Sequence, residues 1–388
     1  MKNKIIIIIV TFTFLIIGTN FSIATNEEIS KEEIIKSQQE SLNIANFIKE
    51  TQKYTEKTFK GIDINSLFTS AIKGNIDNKT IIKTITNVVG KEVINCISIL
   101  GSILVIIVIH SIFKSISEGL KNNTISQITY YVQYILIATL IMTNFADILN
   151  MIRNSITNLV GFMNSLIPLL VTLMLTTGNI ASATLLEPII LFIITFVGNF
   201  IKAILLPFVL IANALSIVSN VSNKIQIDKL SKFLKSSVSW ILGIILTIFV
   251  GTVSIEGNLS STVDGITAKT AKATVSNVIP VVGKILGDAA DTVIGCNNIL
   301  KNAVGIIGVI VVLLICVLPI IKLVILMSLY YLSSAVCEPI ADKKIVSLLE
   351  QMGDTFKILF AILCSISVML MIGITLVIKI TNSGLMYR

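Results

Sequence analysis

The sequence predicts an all-α polytopic membrane protein with about eight transmembrane helices and one amphipathic helical hairpin. Two observations carry that prediction. Hydrophobic residues make up 54% of the 388-residue chain and charged residues only 13%, against roughly 25% charged in an ordinary soluble domain. Apolar runs near the ~20 residues needed to cross a ~30 Å hydrocarbon layer recur at 93–113, 128–149, 159–177, 185–201, 203–218, 238–255, 304–332 and 356–378.

The chain opens with Lys2 and Lys4 before an apolar run at 5–17, then Ser22-Ile23-Ala24. Small residues at the two positions that a signal peptidase reads predict cleavage after Ala24, making 1–24 an export signal. The run is short for a span. Residues 25–90 turn polar, with Glu27, Glu28, Glu32 and Glu33 among Lys31 and Lys36, and Leu42, Ala45 and Ile48 at helical intervals. An extracytoplasmic helical segment is expected, with too few apolar positions for a large core of its own. The six runs from 91 to 256 form one membrane region, and 303–388 adds two spans with a cytoplasmic amphipathic loop.

An outside start and eight crossings place the loops 114–126, 220–237 and 334–355 in the cytoplasm and the C-terminus outside. Charge agrees: 220–237 carries Lys224, Lys229, Lys232 and Lys235 against Asp228, whereas 147–158 carries only Asp147 and Arg153. The three cytoplasmic loops share a faint pattern, an apolar residue, a serine, any residue, an apolar residue and then an aromatic at the next helix entrance: Ser126 to Tyr134, Ser231 to Trp240, Ser347 to Phe356. Serine is common and aromatics collect at membrane interfaces, so the pattern does not by itself establish a repeat.

Composition and motifs exclude several classes. The net charge of +8 comes with lysines gathered in one loop between spans, which orient a membrane protein, and with no exposed basic face interleaved with aromatics, so no nucleic-acid partner is expected. Five cysteines without CxxC spacing give neither a disulfide framework nor a zinc site. One histidine, His110, and no HExxH, phosphate-binding glycine loop or GxSxG elbow leave no catalytic, cofactor or metal residues to nominate. Lys322, after Pro319 inside 304–332, is a functional candidate as an intramembrane charge or, equally, a lysine that snorkels to the headgroups. Glu187-Pro188 and Glu338-Pro339 are expected to cap span ends.

The stretch 257–302 is the most informative. Its first half, with Asp264, Lys269 and Lys272, is too polar for a span, and its second half, from Val281 to Gly295, is too short. Lys269, Lys272 and Ser276 share one helical face; Lys284, Asp288 and Asp291 share another, opposite Ile285, Ala289 and Val293. Pro280 disfavours helix at Ile279 and predicts a turn. Folding back there would set Lys272 level with Asp288 and Lys269 level with Asp291. The hairpin either re-enters the bilayer beside a cavity or lies on the membrane surface.

In TVDGITAKTAKATVSNVIPVVGKILGDAADTVIG, in the following LKNAVGIIG and in CEPIADKKI at 337–345, the chain resembles the stage III sporulation protein AE family of endospore-forming bacteria. The resemblance implies a membrane component, an export gate or platform, of the secretion-like channel joining mother cell and forespore. It implies placement in the mother-cell membrane around the forespore. The implied partners are the other stage III sporulation A operon proteins and, indirectly, stage II sporulation protein Q. It supplies no catalytic residue. The alternative class is a secondary transporter of a small solute or ion, motivated by the loop pattern and Lys322; an intramembrane enzyme lacks a paired acid or nucleophile and base.

Overall fold

The computed structural model describes residues 28–55, 62–75, 78–119, 123–221, 227–278 and 282–386, without the side chains of 28–32, 116–127, 256–290 and 380–386 and of some further residues between 78 and 133. Every regular element is helical. Three short helices come first: α1 (Glu28–Ser41), α2 (Ile44–Thr55) and α3 (Ile64–Ile72). Asp63 caps α3, its carboxylate accepting from the backbone N–H of Asn65 and Ser66 at 3.0 and 3.3 Å, as a helix N-terminus with orphan donors requires. Long helices follow: α4 (Asn78–Gly119), α5 (Asn123–Thr176), α6 (Ile180–Phe200), a π-helical turn (Ile201–Leu205), α7 (Leu206–Val221), α8 (Asp228–Val278), α9 (Val282–Cys337) and α10 (Lys343–Met386).

Five helical stretches are long and apolar enough to cross a membrane among the described residues: Tyr130–Thr176, Ile180–Val221, Asp228–Ile255, Asp291–Cys337 and Lys343–Lys379. A count of about eight is not shown: the run 93–113 lies in α4, which is not among the five, and four other runs are merged into two stretches. The runs 128–149 and 159–177 lie in one uninterrupted helix, and 185–201 and 203–218 are joined through the π turn. The sequence 147–158 is polar yet holds neither Gly nor Pro, and a polar interval without a breaker leaves the helix intact. A true reversal comes at Thr177-Gly178-Asn179, where Gly178 takes φ 83°, a left-handed conformation open to glycine at a helix end. Pro188 stands inside α6 rather than at its end, so Glu187 does not cap a span; Glu338-Pro339 does follow directly on the last residue of α9. No helix ends at 256 or 302: the two halves of the expected hairpin continue α8 and α9.

The bundle has two ends. The start of α5, the end of α7, the start of α8 and the start of α10 gather at its base, and the α5–α6 turn lies at its top. Heights along it are fixed by contacts. Tyr134 of α5 meets Ile217 of α7 near the base, and about three turns higher on α5 Phe145 meets Phe356 of α10. Further up, Lys202 reaches Thr157 and Gly198 backs onto Val160. A β-carbon on Gly308 of α9 would meet Leu166 of α5 at 2.6 Å, a close approach that small residues permit between apolar helices. Helices α1–α3 lie against the upper part. Phe47 and Tyr54 of α2 pack on Phe162 of α5 with ring centroids 6.2 and 6.1 Å apart, and Gln38 of α1 donates to the carbonyl of Val293 on α9 at 3.5 Å. The Tyr54 phenol has its pKa raised, by burial first and by the nearby Glu50 second.

Candidate functional site

An apolar bundle shows its special places by where it buries polar groups, because each must find a partner inside. The densest such place is at the base, between α7, α8 and α10. Gln351 is its centre. Its side-chain oxygen accepts from Asn220 Nδ2 at 3.1 Å, and its Nε2 donates to Ser347 Oγ at 3.1 Å and Asp228 Oδ1 at 3.4 Å. Its backbone carbonyl accepts from Lys235 Nζ at 3.0 Å and Thr355 Oγ1 at 2.8 Å. Lys235 is 8% exposed, so this carbonyl replaces hydration that the ammonium has lost.

The α7 side follows from helical spacing. Asn213, Ser216 and Asn220 fall at i, i+3 and i+7, one stripe in an otherwise apolar helix. Thr355 Oγ1 reaches Asn213 Oδ1 at 3.4 Å. Ser216 and Ser231 share a 2.6 Å bond, and Ser231 also donates to the Ala212 carbonyl at 2.7 Å. Carbonyls at the end of α7 are met from outside, among them those of Asn220 and Val221, which lie in the last turn and have no intrahelical donor. Tyr134 donates to Ile217 O at 2.6 Å, Tyr130 to Asn220 O at 3.1 Å and Lys344 to Val221 O at 3.5 Å. The Lys344 ammonium also stands 5.7 Å over the Tyr130 ring, a cation–π distance. Chemically the cluster is a tie: it couples the ends of α5, α7, α8 and α10 through oriented hydrogen bonds.

The loop pattern acquires partial content here. Ser231 and Ser347 both enter the cluster, but by different bonds; Tyr134 and Phe356 are buried whereas Trp240 is 73% exposed. Ser126 has no described side chain.

A second polar place lies higher, where Lys322 Nζ of α9 stands 3.2 Å from Glu92 Oε2 of α4. Both side chains are mostly buried, 23% and 19% exposed, so Lys322 is held by an ion pair between two helices. A third lies on α9 near the top. Lys301 is fully buried and donates to Asn298 Oδ1 at 3.2 Å, beside the buried Cys296 and Asn297.

Among the other sequence-predicted residues, Asp291 is exposed near the described upper end of α9. Asp264, Lys269 and Lys272 fall in helix α8, and Lys284 and Asp288 in α9, but their side chains lie outside the described residues, as do Pro280, Ser22 and Ala24. The facing of Lys272 with Asp288 and of Lys269 with Asp291 therefore falls there too. Sequence reasoning missed Asn213, Ser216, Asn220, Lys235, Gln351 and Thr355 as a set, and Glu92. The available signal was polar residues recurring at helical spacing inside an apolar run. Among the described residues no group of three His, Cys, Asp or Glu side chains could hold a metal ion.

Comparison with known proteins agrees with the residue-level resemblance. The family model for stage III sporulation protein AE matches residues 62–381. The stage III sporulation protein AE of Bacillus subtilis (strain 168) is 30% identical over 290 residues, covering 75% of this chain and 73% of that protein. No solved structure matches. The model match runs from the residue before the Asp63 cap to the last turns of α10, taking in the base cluster, the Glu92–Lys322 pair and all five membrane-length helices: the chain belongs to the stage III sporulation protein AE family and is a multi-helix membrane protein of sporulation.

Proposed function

We propose that the chain is the export gate or platform of the channel between mother cell and forespore, embedded in the mother-cell membrane with its base in the cytoplasm. The base cluster carries this reading. Gln351, Asn220, Ser231 and Lys235 lock the helix ends into one rigid piece, as suits a support for other subunits. Exposed Lys229, Lys232 and Lys343 ring the same end, the side that the positive-inside tendency assigns to the cytoplasm. A secondary transporter instead needs a polar site near mid-membrane between broken helices. At the corresponding height the described core is filled by Phe145, Tyr330 and Phe356. The proposed partners are the other stage III sporulation A operon products and, indirectly, stage II sporulation protein Q. The test is to isolate the tagged chain from sporulating cells: those products should co-purify, and Gln351→Leu should weaken their retention. A chain that purifies alone and supports gradient-driven solute uptake in vesicles would replace this reading with the transporter.

Two smaller proposals accompany it. Removal of the export signal after Ala24 would leave α1–α3 outside the cell membrane, and a bulky charged residue at Ala24 should retain the signal in the mature mass. Pairing of Lys272 with Asp288 and of Lys269 with Asp291 would close the α8–α9 hairpin. Lys272→Asp and Asp288→Lys should then each impair sporulation and the double swap should restore it.

A further inference from the structure

We infer that only the lower half of the bundle lies in the bilayer, and that the upper half of α5 and α6 stands clear of the lipid with its exposed aromatic ridge buried against a second copy of this chain.

The inference starts from length. Tyr130–Thr176 and Asp291–Cys337 each run for 47 residues, about 70 Å at ~1.5 Å per residue, more than twice a ~30 Å hydrocarbon layer. One bilayer covers less than half of either helix, and charge fixes which half. At the base Lys229 and Lys232 are exposed and Asp228 pairs with Lys232 at 2.6 Å, so that level is in water or headgroups. From Tyr134 up to Thr157 is 23 residues of one helix, about 35 Å. At that upper level Lys202 reaches Thr157, Arg153 is exposed and Glu92 pairs with Lys322. The interval between the two charged levels matches one bilayer, and in it Trp240 and Ile244 of α8 and Ile135 of α5 face outward.

Immediately above, α2 lies across Phe162 with Lys49, Glu50 and Lys53 exposed. Three exposed ionised side chains on one short helix cannot face hydrocarbon without a heavy desolvation penalty. The level of Phe162 is therefore outside the lipid, and everything above it on α5, α6 and α9 is too.

This leaves an apolar surface in an aqueous compartment. Because Gly198 backs onto Val160, the α6 residues before it lie level with Phe162 or higher. Phe192 and Phe196 are 68% and 54% exposed, the exposed Leu185 continues their face two turns higher, and Ile180 and Leu175 of α5 are exposed beside the turn at Gly178. Phe192, Phe196 and Phe200 stack in file, 5.9 Å between successive centroids. The exposed side chains of the ridge offer on the order of 500 Å² of apolar area, a large share of the ~800 Å² that each partner gives a stable interface. The only ionisable side chain on α6 is the half-buried Glu187. A surface this apolar and this poor in charge has the composition of homo-oligomer interfaces, which are more apolar than those of transient partners.

The test uses the single native tryptophan, Trp240, in the full chain reconstituted into phosphatidylcholine vesicles with brominated acyl chains. Trp240 should lose most of its emission to the bromines. In a Trp240→Phe background, Phe192→Trp and, separately, Ile180→Trp should keep theirs and emit at short wavelength, as buried indoles do. Phe192→Cys, in a chain whose native cysteines are replaced by alanine, should give chain-to-chain crosslinks. Quenching of both introduced tryptophans to the extent of Trp240 would overturn the placement. Unquenched but water-like emission, or no crosslink between copies, would overturn the second copy as occupant.

Discussion

The base and the top of the bundle are held together by different physics. At the base, α7, α8 and α10 are joined by directed bonds around Gln351, with Tyr130, Tyr134 and Lys344 closing the end of α7. At the top, α5, α9 and α10 meet through shape: Gly308 admits Leu166 and Ile374, and Gly305 admits Ile378. Small residues let apolar helices approach closely enough for their side chains to interlock. Oriented bonds specify one arrangement of the helix ends. Packing against glycine specifies distance and tolerates sliding. The base is thus suited to staying fixed and the top to adjusting against whatever covers it.

The largest effect that would break this contrast is expected at the top. Gly308→Leu forces side-chain atoms into Leu166, whose Cδ2 is 2.6 Å from where a β-carbon would stand, and overpacking of this kind costs about 3 kcal/mol. Thermal unfolding of the purified protein in detergent should show a larger fall in Tm than loss of the Glu92–Lys322 pair or of any bond at the base; an unchanged Tm would mean that α5 and α9 separate freely.

Next comes the pair between the halves. Glu92→Ala leaves Lys322 largely buried with its partner removed, costing about 2 kcal/mol, between the small value of exposed pairs and the larger one of fully buried pairs. Exchanging the charges, Glu92→Lys with Lys322→Glu, should recover most of that loss. No recovery would assign the single-mutant loss to packing.

At the base, Gln351→Leu removes the acceptor of Asn220 and the donor to Asp228, for about 1–2 kcal/mol. Ser231→Ala should cost least, about 0.6 kcal/mol, the average for a hydrogen bond between membrane helices. If Ser231→Ala matched Gln351→Leu, the cluster would act as one cooperative unit rather than a set of bonds centred on Gln351.

Apolar segments, polar N-terminal region and basic loops were legible because each depends on local composition. Lys322 was legible as a charge in an apolar run. Glu92 was not: it sits one residue before such a run and reads as the end of a polar segment, and only the packing of α4 on α9 shows its role. The joining of runs 128–149 and 159–177 was hidden for a related reason. Hydropathy detects Asp147 and Arg153 as a break in lipid solubility, whereas a helix breaks where glycine or proline interrupts its backbone, as at Gly178. The base cluster draws on α5, α7, α8 and α10, and its members are single polar residues whose partners lie up to 142 positions away. Periodicity along one segment carries no information about such distant partners.

The π turn between α6 and α7 has a consequence for how this segment tolerates change. Pro207 has no N–H to give, and the wider turn at Ile201–Leu205, closed by the bond from Leu206 N to Ile201 O, accommodates it. That turn absorbs one extra residue, so every residue after it stands about 100° from where unbroken α-helical winding would put it. The angle of the Asn213–Ser216–Asn220 stripe relative to the phenylalanine file before it therefore depends on this turn as well as on the residue count between them. Deleting Ile204 would remove the absorbed residue together with the wide turn, so the stripe would keep its bearing toward Gln351; inserting a residue between Pro207 and Asn213, with no bulge to absorb it, would swing the stripe away by about 100° while the phenylalanines stayed in place. Substitutions can alter α6 and α7 one at a time; a change in length outside the turn cannot, because there residue count sets angular phase.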